Sequence, residues 1–287
     1  MAEREPDVTS LGGEDKAGLR LCARVAHATD VGRRRRNNQD NHLVLPLNGG
    51  KTPENSGPVL VRIDDGRLLV AVADGMGGHY GGEVASRLCV ESLAKEIVNQ
   101  LDHSGNGKPD LPAALRRAVD AAHHAVFAHA QDYAENVTMG TTLTAMLVSG
   151  RHAEVAQVGD SRAYLYRDGN LILLTQDQTI GNQLRSRGQD SSTVDENIRA
   201  MLVQAVGAQE NIEVIMTAVD LEPQDYILLC CDGLYKVVPP EDIVDILEME
   251  IGLHEKATHL ITRANEGGGP DNITVILTEI CQAESTR

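Results

Sequence analysis

The sequence contains no tryptophan and a single phenylalanine among its 287 residues. A hydrophobic core must therefore be built mainly from leucine, valine, isoleucine and alanine. The apolar content of 41 % and the chain length suffice for one large globular domain or two small ones. No apolar run approaches the roughly 18 residues that a membrane-spanning helix needs. The first residues are polar and acidic, which argues against a signal peptide.

Cysteine is also scarce. The five cysteines are an odd number, and no two of them stand at C-x-x-C spacing. Three lie in apolar runs, which predicts buried, reduced thiols and a reducing compartment. We therefore expect a soluble cytoplasmic protein. The five positions are Cys22, Cys89, Cys230, Cys231 and Cys281.

Basic residues are outnumbered, with 26 lysines and arginines against 42 aspartates and glutamates. The resulting net charge of -16 favours solubility and repels nucleic acid and anionic membranes. We therefore expect neither of these as a partner. Four consecutive arginines at 33–36 are the local exception, and at least three of them are expected to be a solvated basic stretch.

The apolar periodicity predicts strands, then two helices, several strands, two more helices and a last strand. Strands are predicted at 20–28, 41–47, 141–148, 152–158, 163–166, 212–219, 225–231 and 273–280. Residues 59–63 and 67–73 are predicted to form a hairpin around the turn at 64–66. Helices are predicted near 84–101, 111–126, 241–250 and 254–264. This order does not alternate as in a doubly wound sheet, so it favours an α+β fold of antiparallel sheets with helices outside.

Two segments lack this regularity. Residues 1–18 have no apolar periodicity and are expected to be a disordered tail. Residues 175–211 are polar and long, and they are the candidate for a mobile flap, with a short helix at 178–187. Three histidines of the second helix, at 123, 124 and 129, are expected on the surface.

One pattern recurs along the chain: a β-rich apolar run that adjoins an aspartate. Such runs lead into Asp74, Asp160 and Asp232, and Asp271 stands just before the last one. A single Asp-Gly is usually a turn, but four strand ends that carry carboxylates indicate a shared site. Gathered carboxylates repel each other unless a cation lies among them. Oxygen ligands suit Mg²⁺ or Mn²⁺, so the pattern predicts an oxygen-rich metal centre.

Residues near these aspartates suit phosphoryl chemistry. Two metal ions can activate a water and stabilise a phosphoryl oxygen. Gly75, directly after Asp74, lets the backbone approach such ions closely. A guanidinium from the arginine run at 33–36 would bind a phosphate in bidentate fashion. A nucleic-acid patch is the other interpretation of that run, and the net charge disfavours it.

The glycine cluster at 75–82 has a rival interpretation as a nucleotide-binding loop, because it follows a strand and precedes a helix. Tyr80, however, occupies the last glycine position of G-x-G-x-x-G, and no G-x-x-x-x-G-K-[ST] occurs. His79 in the same loop is as compatible with an acid–base role as with no role.

Six short motifs occur in a fixed order along the chain. They are Arg35 with Gln39-Asp40, then 72–78, 140–142, 158–162, 231–234 and 269–272. This ordered set, which covers about residues 20–280, resembles the metal-dependent protein phosphatases (protein phosphatase type 2C) in their bacterial form.

The resemblance implies a central β-sandwich of two antiparallel sheets flanked by helix pairs, a four-layer α-β-β-α arrangement. Residues 19–283 would form a single catalytic domain with the flap at 175–211. The implied reaction is hydrolysis of phosphoserine and phosphothreonine in proteins by a metal-bridging hydroxide, which reverses a Ser/Thr kinase in signalling. The expected partners are phosphorylated proteins, including such a kinase and its targets, and we expect a monomer.

The resemblance also implies a ligand set for two Mn²⁺ or Mg²⁺ ions. Asp74 would bridge the ions, and Asp232 and Asp271 would complete the protein ligands of the first. The carbonyl of Gly75 would serve the second ion. Asp160, sharing Asp232, would match a weaker third position.

The remaining implied roles include three departures from the family. Arg35 would bind the substrate phosphate, and Asp40 would orient metal-bound water. Gln39 stands where many members have a metal-binding glutamate, so the second ion would be held mainly through water. Met76 replaces the histidine that is the proposed general acid of eukaryotic members. Lys236 stands where some members place a third-metal aspartate, which weakens that third site.

Two other functions remain open. A catalytically weak phosphoprotein-binding module on the same fold is one, although degenerate members usually lose metal ligands and this chain keeps Asp74, Asp232 and Asp271. The nucleotide-binding protein is the other. Metal-dependent turnover separates the phosphatase from the binding module, and nucleotide binding without metal would support the nucleotide-binding protein.

Overall fold

The computed structural model describes residues 20–47, 58–63, 66–103, 110–132 and 139–283. The predicted tail at 1–18, most of the predicted loop at 48–58 and the side chain of His79 lie outside the described part. Among the described residues, no helix combines the length and apolar character that crossing a membrane requires.

Two antiparallel sheets form the centre of the molecule. In spatial order the first sheet contains β3 (Val59–Arg62), β1 (Leu21–Asp30), β12 (Ile273–Gln282), β11 (Tyr226–Cys230), β8 (Arg162–Arg167) and β9 (Asn170–Leu173). The second contains β10 (Ile215–Asp220), β7 (His152–Val158), β6 (Leu143–Ser149), β4 (Arg67–Met76) and β2 (Asp40–Pro46), with β5 (Gly140–Thr141) paired to the end of β4.

Helices cover the outer face of each sheet. Helices α1 (Gly78–His103) and α2 (Leu111–Asp132) pack on the second sheet, and α6 (Pro240–Glu248) and α7 (Leu253–Glu266) pack on the first. Leucine, valine, isoleucine and alanine dominate the core between the sheets, as the lack of aromatic residues required. The predicted four-layer α-β-β-α sandwich is confirmed.

The predicted hairpin of 59–63 with 67–73 is wrong. β3 pairs with β1 in the first sheet, whereas β4 pairs with β2 and β6 in the second. β4 is apolar at every position from 68 to 73 and buried throughout that run, so it requires a central place with cover on both faces. β3 alternates between buried and more exposed positions, which suits the edge that it occupies. The turn signal indicated a chain reversal but not which sheet receives the next strand.

The expectation of reduced thiols does not hold for two of the five cysteines. Cys22 and Cys281 are opposite each other in the β1–β12 register, and a disulfide joins them across 259 residues of sequence. Spacing along the chain carries no sign of this pairing, because the strand register alone brings the two side chains together. Cys89, Cys230 and Cys231 are free and buried, as expected.

The flap (residues 175–211) contains α3 (Ile180–Ser186), α4 (Glu196–Ala200) and a 3₁₀ turn at Ser191–Thr193. Its far end is attached to the sandwich. The backbones of Val206 and Thr141 exchange two hydrogen bonds of 2.8 and 3.0 Å. His123 of α2, expected at the surface, is instead buried and accepts a hydrogen bond from the Gly207 amide through Nδ1. These contacts fix the flap end close to β5 and hence to the end of β4.

Candidate metal centre

The pairing of β2 with β4 places Asp40 directly opposite Asp74. The Thr274 hydroxyl donates to Oδ2 of Asp40 at 2.7 Å. The other oxygen, Oδ1, is buried and has no hydrogen-bond partner within the described part of the chain. Burial, more than any other influence, raises the pKa of Asp40 to about 7. An unsatisfied, buried carboxylate oxygen of this kind fits a cation ligand shell.

Asp74 is held in place through its backbone. Its amide donates to the Thr142 hydroxyl at 3.0 Å, and its carbonyl accepts from the Thr142 amide and the Thr141 hydroxyl, both at 2.9 Å. The carboxylate is therefore aimed by two side-chain contacts and one backbone contact. Burial, followed by the charges of Asp40 and Asp232, raises the pKa of Asp74 well above its ordinary value. The carboxylates repel each other, as a metal-binding set must before the metal is bound.

Two further carboxylates lie at the ends of other strands: Asp232 after β11 of the first sheet, and Asp160 in the connection from β7 of the second sheet to β8 of the first. Asp232 is the first residue of α5 (Asp232–Tyr235), which follows β11 directly, and its Oδ1 is buried without a partner among the described residues. Asp160 follows β7 and is only 5 % exposed. Burial and then the charge of Asp232 raise the pKa of Asp160 to about 6. The Tyr235 hydroxyl donates to Asp160 at 3.2 Å and fixes its orientation.

The junction between β4 and α1 depends on Gly75. A Cβ at this position would lie 2.1 Å from the carbonyl oxygen of Gly82 and 2.6 Å from that of Gln39. Both obstacles are backbone atoms, so the two segments can approach this closely only around a glycine. Gly75 and Gln39 both line the same cavity.

A cavity of about 520 Å³ collects these groups. Seven of the eight predicted site residues line it, and the eighth, Asp40, is the strand neighbour of Asp74. The seven are Arg35, Gln39, Asp74, Gly75, Asp160, Asp232 and Asp271. Sequence positions that span 237 residues are thus brought to one place, and the assignment of a ligand role to each of them stays a prediction.

The donor set fits hard divalent ions. Ligand atoms of Asp40, Asp74 and Cys231 lie within 4.8 Å of one another. Burial raises the pKa of the Cys231 thiol well above its ordinary value, so this sulfur stays protonated and belongs to the core. The remaining donors are carboxylate and carbonyl oxygens, which Mg²⁺ and Mn²⁺ prefer.

Two basic side chains border the carboxylates. A terminal nitrogen of Arg35 donates to Oδ2 of Asp271 at 2.6 Å, and burial of the pair is incomplete, with the arginine side chain 54 % exposed. Lys236 Nζ lies 2.5 Å from Oδ2 of Asp232 and 3.8 Å from Oδ2 of Asp160. The ammonium group therefore lies next to the two carboxylates that the sequence assigned to a third metal position.

Sequence reasoning gave no role to Asn272 or Thr274, yet both organise the site. Asn272 Oδ1 accepts from the Gln39 amide at 2.8 Å, and Nδ2 donates to the carbonyls of Val31 and Asn37 at 2.9 and 3.0 Å. Thr274 holds Asp40. The partners are more than 230 residues away in sequence, so only the β1–β12 pairing reveals them.

The sequence matches the family described as Protein phosphatase 2C over residues 58–261. The chain belongs to the protein phosphatase 2C family. It is 35 % identical to the serine/threonine phosphatase stp of Listeria welshimeri over 256 residues, which are 88 % of this chain and 93 % of that protein. It is 38 % identical to the serine/threonine protein phosphatase PstP of Mycobacterium tuberculosis over 217 residues, 75 % of this chain and 41 % of that protein.

Solved structures agree with this assignment. The crystal structure of Mycobacterium tuberculosis PstP/Ppp matches the phosphatase with a TM-score of 0.72 and 34 % identity, covering 91 % of this chain and all of that one. The catalytic domain of PstP in complex with two manganese ions matches with a TM-score of 0.70 over the same shares. The expected fold is confirmed, and the activity class of the phosphatase is metal-dependent protein dephosphorylation.

Proposed function

We propose that this phosphatase hydrolyses phosphoserine and phosphothreonine in proteins with the help of two divalent ions. The observation that carries the proposal is a set of four carboxylates that line one cavity, with Asp40 next to them as the strand neighbour of Asp74. Two of the five, Asp40 and Asp232, have a buried oxygen without a hydrogen-bond partner in the described residues. The two manganese ions in the PstP structure support the same stoichiometry.

The proposed ligands are Asp74 for both ions, Asp232 and Asp271 for one, and the Gly75 carbonyl for the other. Gln39 would act on the second ion through water. When bound, such ions supply Lewis acidity toward phosphoryl oxygens and lower the pKa of water. The protein contributes the fixed arrangement of oxygens on β4, α5 and the residue before β12.

Two residues of the chain would act on the substrate and on water. Arg35 lies at the cavity, and its planar guanidinium matches the geometry of a phosphoryl group. Asp40, held by Thr274, would orient water and accept a proton, since its raised pKa lies near neutrality in the absence of metal. With Met76 in place of a histidine, water is the proposed source of the leaving-group proton.

The proposal is tested by phosphate release from a phosphothreonine peptide with Mn²⁺, with EDTA, and with Mn²⁺ restored after EDTA. We expect release with Mn²⁺, background with EDTA, and full recovery after restoration. The same peptide with phosphotyrosine is the control and should be a poor substrate. Release that survives EDTA would contradict the metal role. No release by a folded protein with Mn²⁺ or Mg²⁺ would favour the phosphoprotein-binding module.

Lys236 leads to a prediction about metal stoichiometry. Its ammonium contacts both carboxylates of the predicted third position, so it competes with a cation there. We expect the native protein to hold two Mn²⁺ ions and Lys236→Ala to hold a weakly bound third, measured by equilibrium dialysis and metal analysis. Exposed Lys95→Ala is the matched control and should stay at two. Three bound ions in the native protein, or only two in Lys236→Ala, would contradict this role.

The domain bounds at 19–283, the reversal of a Ser/Thr kinase in signalling, a monomeric state and a cytoplasmic location stay predictions from the sequence.

A further inference from the structure

The segment between β1 and β2, residues 31–39, carries the four consecutive arginines and is called the arginine loop below. All four arginine side chains are exposed. Arg35 contacts Asp271, but Arg33, Arg34 and Arg36 form no ion pair within the part of the chain that the structure describes. Five other arginines contact a carboxylate, at positions 24, 87, 162, 167 and 263. Guanidinium groups without an ion pair stay available to an anionic ligand.

Two of these three arginines face the site. Arg34 and Arg36 line the same cavity as the carboxylates, and Arg33 does not. The wall also includes Ala200 and Leu202 of the flap. A volume of about 520 Å³ is within the range of pockets that enclose a whole small ligand. The cavity therefore has room for a phosphorylated side chain and a neighbouring side chain of the same peptide.

The backbone that carries the arginines is fixed. The Arg33 amide donates to the Gly269 carbonyl at 2.8 Å. Asn272 holds the loop at Val31, Asn37 and Gln39 through the three hydrogen bonds described above. The arginine loop is thus attached on both sides of the arginines to the residues that flank Asp271. Because the loop backbone is already ordered, binding of a ligand requires no further ordering of that backbone.

The phosphoryl group that reacts at the carboxylates is expected to contact Arg35 and the metal ligands. Arg34 and Arg36 have no part in that contact. Guanidinium groups such as theirs bind phosphoryl and carboxylate groups in bidentate fashion. Consecutive residues of an extended peptide are about 3.3–3.6 Å apart, so a side chain next to the phosphoresidue stays close to the cavity mouth.

We propose that Arg34 and Arg36 form a second anion subsite, which selects phosphoproteins that carry another anionic side chain, phosphoryl or carboxylate, beside the reacting phosphoresidue. The inference rests on the proposed phosphatase function and adds a substrate class to it.

The test compares three phosphothreonine peptides that differ only at the neighbouring residues: glutamine, glutamate, or a second phosphothreonine. Values of kcat and KM are measured with Mn²⁺ for the native protein, the double variant R34A/R36A and the control R33A. We expect the native protein to favour the two anionic peptides. The preference, as a ratio of kcat/KM to the glutamine peptide, should fall about tenfold in the double variant, through KM rather than kcat. R33A should keep the native preference. The glutamate and phosphothreonine peptides show which anion the subsite prefers.

Several outcomes would overturn the subsite. Equal kcat/KM on the three peptides for the native protein would remove the preference itself. An equal loss of preference in R33A would show that the preference comes from the overall positive charge of the arginine loop and not from a subsite at Arg34 and Arg36. Inhibition by single-stranded DNA that disappears in the double variant, with peptide preference unchanged, would point to nucleic acid instead. Absence of turnover on all three peptides would refute the proposed function, and the subsite with it, and is distinguishable from turnover without preference.

Discussion

Replacing Asp74 with asparagine is expected to abolish phosphate release and at the same time to stabilise the metal-free protein. The Asp74 side chain is half-buried among four other carboxylates, and the loss of solvent together with their charges raises its pKa well above the ordinary value. Asparagine replaces a group that the metal-free protein must hold either protonated or in repulsion with its neighbours. The same change removes the ligand proposed to contact both ions. We expect kcat to fall at least about a thousandfold, equivalent to about 4 kcal/mol in the barrier.

Thermal unfolding separates the two effects. In EDTA, Asp74→Asn should unfold at a higher temperature than the native protein, by about 2–4 °C for each kcal/mol gained. Mn²⁺ should raise the Tm of the native protein and leave that of the variant unchanged, since a ligand stabilises only a state that binds it. Asp245→Asn, the same change on the exposed face of α6, is the control for both measurements. A metal-free variant less stable than the native protein would show that Asp74 has a structural role beyond metal binding.

The carboxylates also set a pH dependence. Burial raises the pKa of Asp160 to about 6 and that of Asp40 to about 7. Because the folded protein holds these protons more tightly than the unfolded chain, their contribution to stability is complete below about pH 4 and is lost as the pH rises through 6 and 7. In EDTA, the native protein should therefore lose stability across this range, by about 1.4 kcal/mol for each unit of pKa shift. Mn²⁺ displaces the same protons, so its affinity should rise over that range.

Gly75→Ala is expected to be among the most destabilising alanine substitutions in the site. The new methyl group would lie 2.1, 2.5 and 2.6 Å from three backbone atoms of Gly82 and Gln39. No side-chain rotation relieves such contacts, so α1 must move away from β4. We expect a loss of more than about 3 kcal/mol in the free energy of unfolding, read from urea denaturation. Mn²⁺ affinity should fall as well, because the Gly75 carbonyl moves with its backbone.

Gly150→Ala separates this steric effect from the cost of backbone conformation. Gly150 has a φ of +61° and no neighbouring atom within 4 Å of the added methyl group. Its substitution should cost only about 1 kcal/mol, from the left-handed conformation alone. A Gly75→Ala protein as stable as this control would show that the β4–α1 junction relaxes without penalty.

The parts of the site that depend on the local pattern of apolar and acidic residues were predicted from the sequence. Asp74 and Asp232 follow strongly apolar runs, and Asp271 precedes another. Their convergence was therefore predicted from the general behaviour of strand ends. The arrangement of helix pairs followed in the same way from the change in periodicity. Each of these signals lies within about a dozen residues of chain.

Predictions that depend on pairing between distant residues were wrong, or were not made at all. Three features depend on which strands lie side by side: the partner of β3, the Cys22–Cys281 disulfide and the hydrogen bond from Thr274 to Asp40. Strand register is settled by the packing of the whole sandwich, and a single sequence does not display it. The ion pair between Lys236 and Asp232 could have been predicted from the sequence, since residues four positions apart are usual contacts on a helix.

The adjacency of β1 and β12 has a consequence for the synthesis of the protein. Arg35 and Asp40 follow β1, the first strand of the described sandwich to be synthesised, whereas Asp271 precedes β12, the last strand of that sandwich. Their loop is held together by Asn272, which is also made late. Domains fold during synthesis only as far as their contacts are available, and this contact waits for the synthesis of β12. A growing chain therefore cannot complete the metal centre early, and no phosphate is removed from a nearby substrate until the last strand has joined the sheet.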